Sequence, residues 1–267
     1  MTQKNRLDTE LQRRGLATTR SQAENLIKLG MVTVNSQAVT KPGFFVSSDA
    51  PINVIKEAFV SRAGLKLASV ANIFNLSFKN KVVLDVGSST GGFTEFSLKN
   101  GAKKVYAVDV GTNQLHPSLR PNPKIELYEQ TNILDVRRDT VVLKNSPSNH
   151  IPTSKIQHLK SNIDIILIDV SFVSLRTILP HVAKHLSGKN TQVIAMLKPQ
   201  FESGASLKNK GVIKNDSIRR KIIKDFEVWV KQYFIIEQKA DSSVAGQKGN
   251  IERFYLLSAL GNPFNKI

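Results

Sequence analysis

Cysteine is absent from this chain of 267 residues. That excludes disulfides, thiolate metal ligation and any cysteine nucleophile, and it suits a reducing compartment. Long apolar runs are missing too: nothing approaches the roughly 18 residues that a membrane-crossing helix requires. The opening stretch, MTQKNRLDTELQRRGL, is too polar for a secretion signal. A soluble, cytoplasmic chain with no membrane role is expected, and a monomer. The five histidines show no metal-ligand spacing, so no metal is expected. Acids are scarce beside bases: 21 Asp and Glu against 38 Lys and Arg leave a formal charge of +17. An excess of that size predicts a polyanionic partner or an anionic membrane surface.

Two rhythms divide what is present. Residues 1–57 read as a small α+β unit. Leu7, Leu11 and Leu16–Ala17 recur at near-helical spacing, and a second helix starts after the cap candidates Thr18 and Thr19 and ends at Gly30. Short strands follow at Met31–Val34, Gln37–Val39 and Pro51–Ile55, with a turn at Lys41-Pro42-Gly43. Residues 58–79 link this unit to the next and contain its first helix. From residue 80 to residue 267, β-rich runs at Val82–Val86, Lys104–Val110, Ile163–Val170 and Thr191–Leu197 alternate with helix-capable stretches. That alternation predicts an α/β fold, a mostly parallel sheet with helices on both faces. Ser217–Lys231 is helical in pattern. Phe234–Gln238 and Arg253–Ser258 follow with only a loop between them, so the last strand is expected to run antiparallel at one edge. Asn145–Asn162, polar and carrying Pro147 and Pro152, reads as a long loop.

The stretch VVLDVGSSTGGF, Val82 to Phe93, ends a strand in Asp85 and opens onto Gly87, Gly91 and Gly92. Glycines there let a backbone approach a ligand. A triphosphate loop needs Lys-Ser/Thr after its glycines, and Phe93-Thr94 stands there instead. A dinucleotide loop needs glycine where Ser89 stands. An S-adenosylmethionine loop needs no phosphate cradle, only backbone room and a nearby acid for a cationic ligand. Asp85 fits that need. Asp109, at the end of the next strand in VYAVDV, fits a ribose-binding acid, with Val110 beside it. Asn132 or Asp135, in TNILD, is placed to flank an adenine. The expectation is a Rossmann-like S-adenosylmethionine-dependent methyltransferase.

Methylation at cytosine C5 commonly uses a cysteine, which this chain lacks. Amino-group methylation of bases commonly uses an Asn/Asp-Pro-Pro-aromatic element, and Asp169-Val170-Ser171-Phe172 holds no proline. An oxygen acceptor remains. A ribose 2′-hydroxyl is a poor nucleophile until its proton is taken. Candidate groups at strand ends are Asp169 in IDIILID, Lys198 in VIAMLK and Glu252 in GNIERF. Lys66, in SRAGLKL, lies on the helix before the glycine-loop strand.

The segments SRAGLKL, LDVGSSTGGFTE, AVDVGTNQL, IDVSFVSL, LKPQFE and GNIERF, in that order, resemble the hemolysin A (TlyA) family of ribosomal RNA 2′-O-methyltransferases over nearly the whole chain. In that family an RNA-binding domain is joined to a methyltransferase of the FtsJ type. The resemblance implies a Lys-Asp-Lys-Glu tetrad at Lys66, Asp169, Lys198 and Glu252, and cytidine in ribosomal RNA as the acceptor. Lys198 then acts either as base or as a group that fixes the hydroxyl and stabilises growing negative charge. Departures are small: Ala63 and Ser243 stand where glycine and proline are common, and Ser88 where alanine is. Rival readings are a membrane-lytic protein and a non-catalytic ribosome-assembly factor.

RLDTELQRRGLATTRSQAENLIKLGMVTVN resembles the alpha-L RNA-binding domain, so ribosomal RNA or a ribosomal subunit is the expected partner. Arg6, Arg20, Gln22 and Lys28 are its candidate phosphate contacts, joined by Arg62 in the second unit. Asp8, in an Arg-Leu-Asp triplet that echoes pseudouridine synthases, reads as structural. Residues 198–224 carry a net charge of +6, against +3 for residues 1–57. Lys208, Lys210 and Lys214 are therefore further candidates. Neutralising those three should weaken RNA binding and lower the slope of log affinity against log salt by about 2; titrations at several salt concentrations measure this, and an unchanged slope removes them from the interface.

Overall fold

The computed structural model describes residues 4–17, 20–28, 31–54, 59–138, 157–202, 213, 215–244 and 249–260. Lys208, Lys210 and Lys214, and the side chains of Gln22 and Lys28, lie outside the described residues. The chain divides into two compact units, residues 1–58 and 59–267.

In the first unit, β1 (Lys4–Arg6) leads into α1 (Leu7–Arg13), followed by α2 (Arg20–Lys28), β2 (Val32–Val34), β3 (Gln37–Ala38), β4 (Phe45–Ser47) and β5 (Ile52–Val54). Strand β2 lies between β3 and β5 in an antiparallel sheet. The β2–β3 turn places Asn35 and Ser36 at φ 50° and 66°, the left-handed pair that a two-residue hairpin demands. A second pairing, β1 against β4 with Arg6 opposite Phe45, was not legible in sequence. Three-residue strands are too short for alternation to show.

Leu7, Leu11, Ala23, Ile27, Val32 and Val46 form this unit's interior. Two carboxylates, Asp8 and Glu10, are buried beside them. A buried carboxylate must be paired to stay ionised. Asp8 accepts two hydrogen bonds from Arg6, at 3.0 and 2.7 Å, and one from Arg20 at 3.2 Å. Glu10 accepts from Arg13 at 2.6 and 2.9 Å and from Arg14 at 2.7 Å. Arg6 and Arg20, expected as RNA contacts, thus direct their guanidinium groups to Asp8, and Asp8 is structural.

Hydrogen bonds from these arginines hold both carboxyls down at about 2. Their stabilisation is present above about pH 4 and is lost as pH falls toward about 2. Glu10→Gln should speed amide hydrogen exchange in α1 at neutral pH, and its difference from wild type should close as pH falls through that window. Equal protection at neutral pH would show that α1 needs no such anchor.

The second unit begins with α3 (Arg62–Ala71), β6 (Val82–Val86), α4 (Gly92–Lys99), β7 (Lys104–Val108) and β8 (Ile125–Tyr128). A short parallel pair follows, β9 (Val136–Arg138) with β10 (Gln157–Leu159). Then come β11 (Ile165–Ile168), α5 (Leu175–His181) with a π-helical continuation to Leu186, β12 (Gln192–Leu197), α6 (Pro199–Glu202), α7 (Asp216–Val230), β13 (Phe234–Asp241) and β14 (Arg253–Ala259). Seven strands form one sheet in the order β13-β14-β12-β11-β6-β7-β8. Strands β12, β11, β6, β7 and β8 are parallel, and β14 is antiparallel to both neighbours.

Alternation along the strands builds two cores. Leu84, Val86, Ile166 and Ile168 face one side, with α5 and α7. Val83, Ile165 and Leu167 face the other, with Leu67 of α3 and Phe93 and Phe96 of α4. Two expectations need correction. The Asn145–Asn162 stretch is not all loop: Gln157–Leu159 is a strand, because Leu159 is buried in the first core beside Val136. Its earlier part lies outside the described residues. Ile125–Tyr128, unassigned from sequence, is the half-buried edge strand β8. No helix among the described residues is long and apolar enough to cross a membrane.

Candidate active site

Strands β6 and β11 are neighbours, and the chain leaves them toward opposite edges of the sheet, from β6 to β7 and from β11 to β12. Such a switch point opens a crevice beyond the strands' C-terminal ends. Gly87 follows β6 there at φ 78°. A Cβ on it would lie 2.8 Å from the Asp169 carbonyl oxygen, so only glycine fits. Two clefts open at this point, of about 540 and about 400 Å³, and both are lined by Gly87, Ser89, Asp169 and Ser171.

The larger cleft is mainly apolar and includes Asp109, Val110 and Asn132. Asp109 accepts from the backbone N–H groups of Ser89 and Gly111, both at 2.7 Å, which fixes its carboxylate at the rim. Asn132 caps the short helical turn Ile133–Asp135 by accepting from Leu134 N–H at 3.0 Å. Of the two adenine-flanking candidates, Asn132 reaches the cleft. Asp135, the last residue of that turn, is not among the residues that line it.

The smaller cleft is polar. Lys66, Lys198, Asp169, Asp85, Arg62 and Phe93 line it. Lys198 Nζ donates to Ser171 Oγ at 2.7 Å and lies 2.6 Å from Asp169 Oδ1, an ion-pair contact rather than an aligned hydrogen bond. Lys66 Nζ donates to Glu252 Oε1 at 2.8 Å, and both groups are buried. Three of the four tetrad candidates therefore line one cleft. Glu252 stands behind Lys66, its other oxygen buried without a partner. The carbonyl of Glu252 accepts from Ser242 N–H at 2.9 Å, which ties the residue to the end of β13.

Gly91 and Gly92, expected to make room for a ligand, are not among the residues that line either cleft, and close packing also requires glycine at both. A Cβ on Gly91 would lie 2.5 Å from Leu119 Cδ1, and Gly91 sits at φ 95°. One on Gly92 would lie 2.3 Å from Ser61 Oγ and 2.8 Å from Gly64 N. Gly92 thus lets the start of α4 touch the start of α3, which carries Lys66.

Sequence reasoning missed three residues. Ser171 orients Lys198. Glu202, in LKPQFE, accepts from Ser174 Oγ at 2.6 Å and Leu175 N–H at 2.7 Å, locking the Lys198 segment to the segment after Asp169. Phe172 is 91% exposed at φ 67° beside the larger cleft. A bulky residue in that backbone region is strained, and such strain concentrates at functional sites. An aromatic inside a motif gave no sign of its exposure.

Asp85 alternates with Leu84 and Val86, so it points toward α4. Thr94 Oγ1 donates to its Oδ2 at 2.6 Å, while Oδ1 is buried without a partner. Burial pushes its carboxyl up to about 7, against the Thr94 hydroxyl and with help from the negative charges of Asp169 and Asp109. An orphaned, buried acid at a polar cleft fits a cationic ligand. The sign for stability follows: the folded chain holds a proton that the unfolded chain has lost between about pH 4 and about pH 7, so stability falls as pH rises through that window. Asp85→Asn should therefore melt higher than wild type at about pH 8, with the gap shrinking toward about pH 5. A gap independent of pH across scanning-fluorimetry melts would contradict it.

The model of the FtsJ-like methyltransferase family matches residues 59–259, and that of the S4 domain residues 5–52. Hemolysin A of Brachyspira hyodysenteriae is 36% identical over 92% of this chain and 97% of its own length. The 16S/23S rRNA (cytidine-2′-O)-methyltransferase TlyA of Mycobacterium tuberculosis is 32% identical over 96% of this chain and 91% of its own. A solved structure from Streptococcus thermophilus, 35% identical, covers 98% of this chain and 91% of its own with a TM-score of 0.67. With a seven-stranded sheet whose last strand is antiparallel, and with relatives matched along almost their full length, the chain belongs to the FtsJ-like methyltransferases, in the hemolysin A (TlyA) family, and carries an S4 domain ahead of the methyltransferase.

Proposed function

We propose that this protein methylates the 2′-hydroxyl of a ribose in ribosomal RNA, with cytidine as the acceptor nucleoside, as in the Mycobacterium relative's name. One observation carries the reading: Lys66, Asp169 and Lys198 line the same cleft as Gly87 and Asp85, with Glu252 bonded to Lys66.

S-adenosylmethionine, when bound, supplies a methyl group already activated on a sulfonium. Asp85, Gly87 and Ser89 would hold its cationic amino-acid end; Asp109 would hold the ribose hydroxyls, and Val110 and Asn132 would flank the adenine. The orphaned Asp85 oxygen supports that orientation.

The smaller cleft would take the acceptor ribose. A lysine ammonium has three donors. On Lys198, Ser171 accepts one hydrogen bond and Asp169 lies against the ammonium as an ion pair, which leaves donor capacity for the 2′-oxygen. Lys198 thereby fixes the hydroxyl in line for transfer: as an ammonium it stabilises the negative charge growing on the oxygen while the hydroxyl proton passes to water, and as a neutral amine it takes that proton itself. Lys66, held by Glu252, adds positive charge to the same cleft. Arg62, which has no acid partner among the described residues, is placed for the flanking phosphate. Phe172 offers an exposed ring on which the acceptor base stacks, backed by Phe201 at 5.3 Å.

Transfer of label from S-adenosylmethionine to ribosomal subunits, with mapping of 2′-O-methyl positions, tests the proposal. Lys198→Ala should lower transfer about a hundredfold or more while cofactor affinity, read by calorimetry, stays within about twofold. Wild-type turnover in that variant would overturn the assignment. No transfer by the wild-type protein to any ribosomal particle would favour an assembly factor.

A further inference from the structure

The S4 unit contains a cleft of its own, about 500 Å³, whose lining includes Lys4, Asn35, Gln37, Lys41, Phe44 and Phe45. Alternation along β4 turns Val46 inward and Phe45 outward. Phe45 is 61% exposed and Phe44 42%. Two adjacent exposed phenylalanines are costly in water unless they serve a contact. Their backbone is pinned: Phe44 N–H donates to the Lys41 carbonyl at 3.0 Å, and Leu7 N–H donates to the Phe44 carbonyl at 2.7 Å. The rings therefore stand on a fixed base at the start of α1.

Charge separates this cleft from the rest of the unit. Arg6, Arg13, Arg14 and Arg20, the arginines of residues 1–58, are all paired to Asp8 or Glu10. Lys4 and Lys41 have no acid partner among the described residues, and both lie on the cleft. Uncommitted positive charge and exposed aromatic faces thus coincide. Phosphates are attracted by ammonium groups whatever the RNA structure, but a ring can stack only on a base whose face is open. In a duplex the base faces are covered.

We propose that this cleft binds an unpaired nucleotide of the RNA substrate, its base stacked on Phe45 with Phe44 beside it and its phosphates held by Lys4 and Lys41. The proposal rests on the reading of the S4 unit as RNA-binding and adds to it a single-stranded target. Loops and bulges in ribosomal RNA offer such nucleotides.

Full-length protein and a labelled single-stranded oligoribonucleotide of about ten nucleotides test this, beside a duplex of the same sequence. Phe45→Leu keeps the apolar bulk and removes the π face; Phe45→Trp keeps the face. The leucine variant should bind the single strand about tenfold more weakly, about 1.4 kcal/mol, and the duplex as wild type does. The tryptophan variant should retain affinity, and its emission should change when the single strand is added, above the signal of Trp229 in wild type. Lys41→Gln should lower the single-strand salt slope by about 0.7. Unchanged single-strand affinity in Phe45→Leu, or an equal loss on duplex, would overturn the proposal. So would a change in oligomeric state with RNA affinity intact, which would assign the face to a second copy. If wild type bound neither probe, the RNA-binding reading of the unit would fall first.

Discussion

The approach of Gly87 to the Asp169 carbonyl, with 2.8 Å left for a Cβ that is not there, sets the geometry on which the catalytic unit depends. It lets the ends of β6 and β11 sit side by side while the chain leaves them toward opposite sheet edges. Everything functional in that unit is measured from this place. Asp85 lies two residues before Gly87, Asp169 is the residue whose carbonyl is approached, and Lys198 stands at the end of the strand beside β11. A side chain at position 87 would push β11's exit away and part both clefts from their shared wall.

Charge in this protein is arranged by one rule with one exception. Ions taken out of water are expensive, so they appear as pairs: buried Asp8 and Glu10 with arginines, buried Lys66 with Glu252, and half-buried Lys198 with Asp169. In each pair the carboxylate orients the cation. Among the described residues Asp85 is the exception, a buried acid with no cation beside it and one oxygen unpartnered. It is unfavourable for the empty fold and favourable for a cationic ligand, the pattern expected where stability is given up for function.

The N-terminal unit shows the same rule working against intuition. Its arginines look like an RNA-binding face in sequence, yet they are spent on the two buried acids of α1, and Arg14 also donates to the carbonyls of Ala50 and Ser48. Guanidinium groups so engaged still present partly exposed edges, but the uncommitted charge is on lysines. Counting basic residues measures attraction to a polyanion; it does not say which of them are free.

Sequence alone determined the parallel sheet, the antiparallel edge, the glycine turn and the order of the motifs. Those features are written in local patterns: β-rich runs, helix spacing, glycine where a backbone must turn. The short strands β1, β4, β8 and β10 left no such trace, since three or four residues cannot display a period. Tertiary structure alone decided how the chemistry is shared out. It split the four tetrad positions into two ion pairs, set Glu252 behind Lys66, packed Gly91 against Leu115 and Leu119 and Gly92 against the start of α3, and left Asp135 out of the cleft lining. It also exposed Phe172 and Phe45, although phenylalanine is ordinarily a core residue. The reason is distance along the chain: Lys66 and Glu252 are 186 residues apart, and only closure of the sheet and its helices decides which side chains meet and which face water.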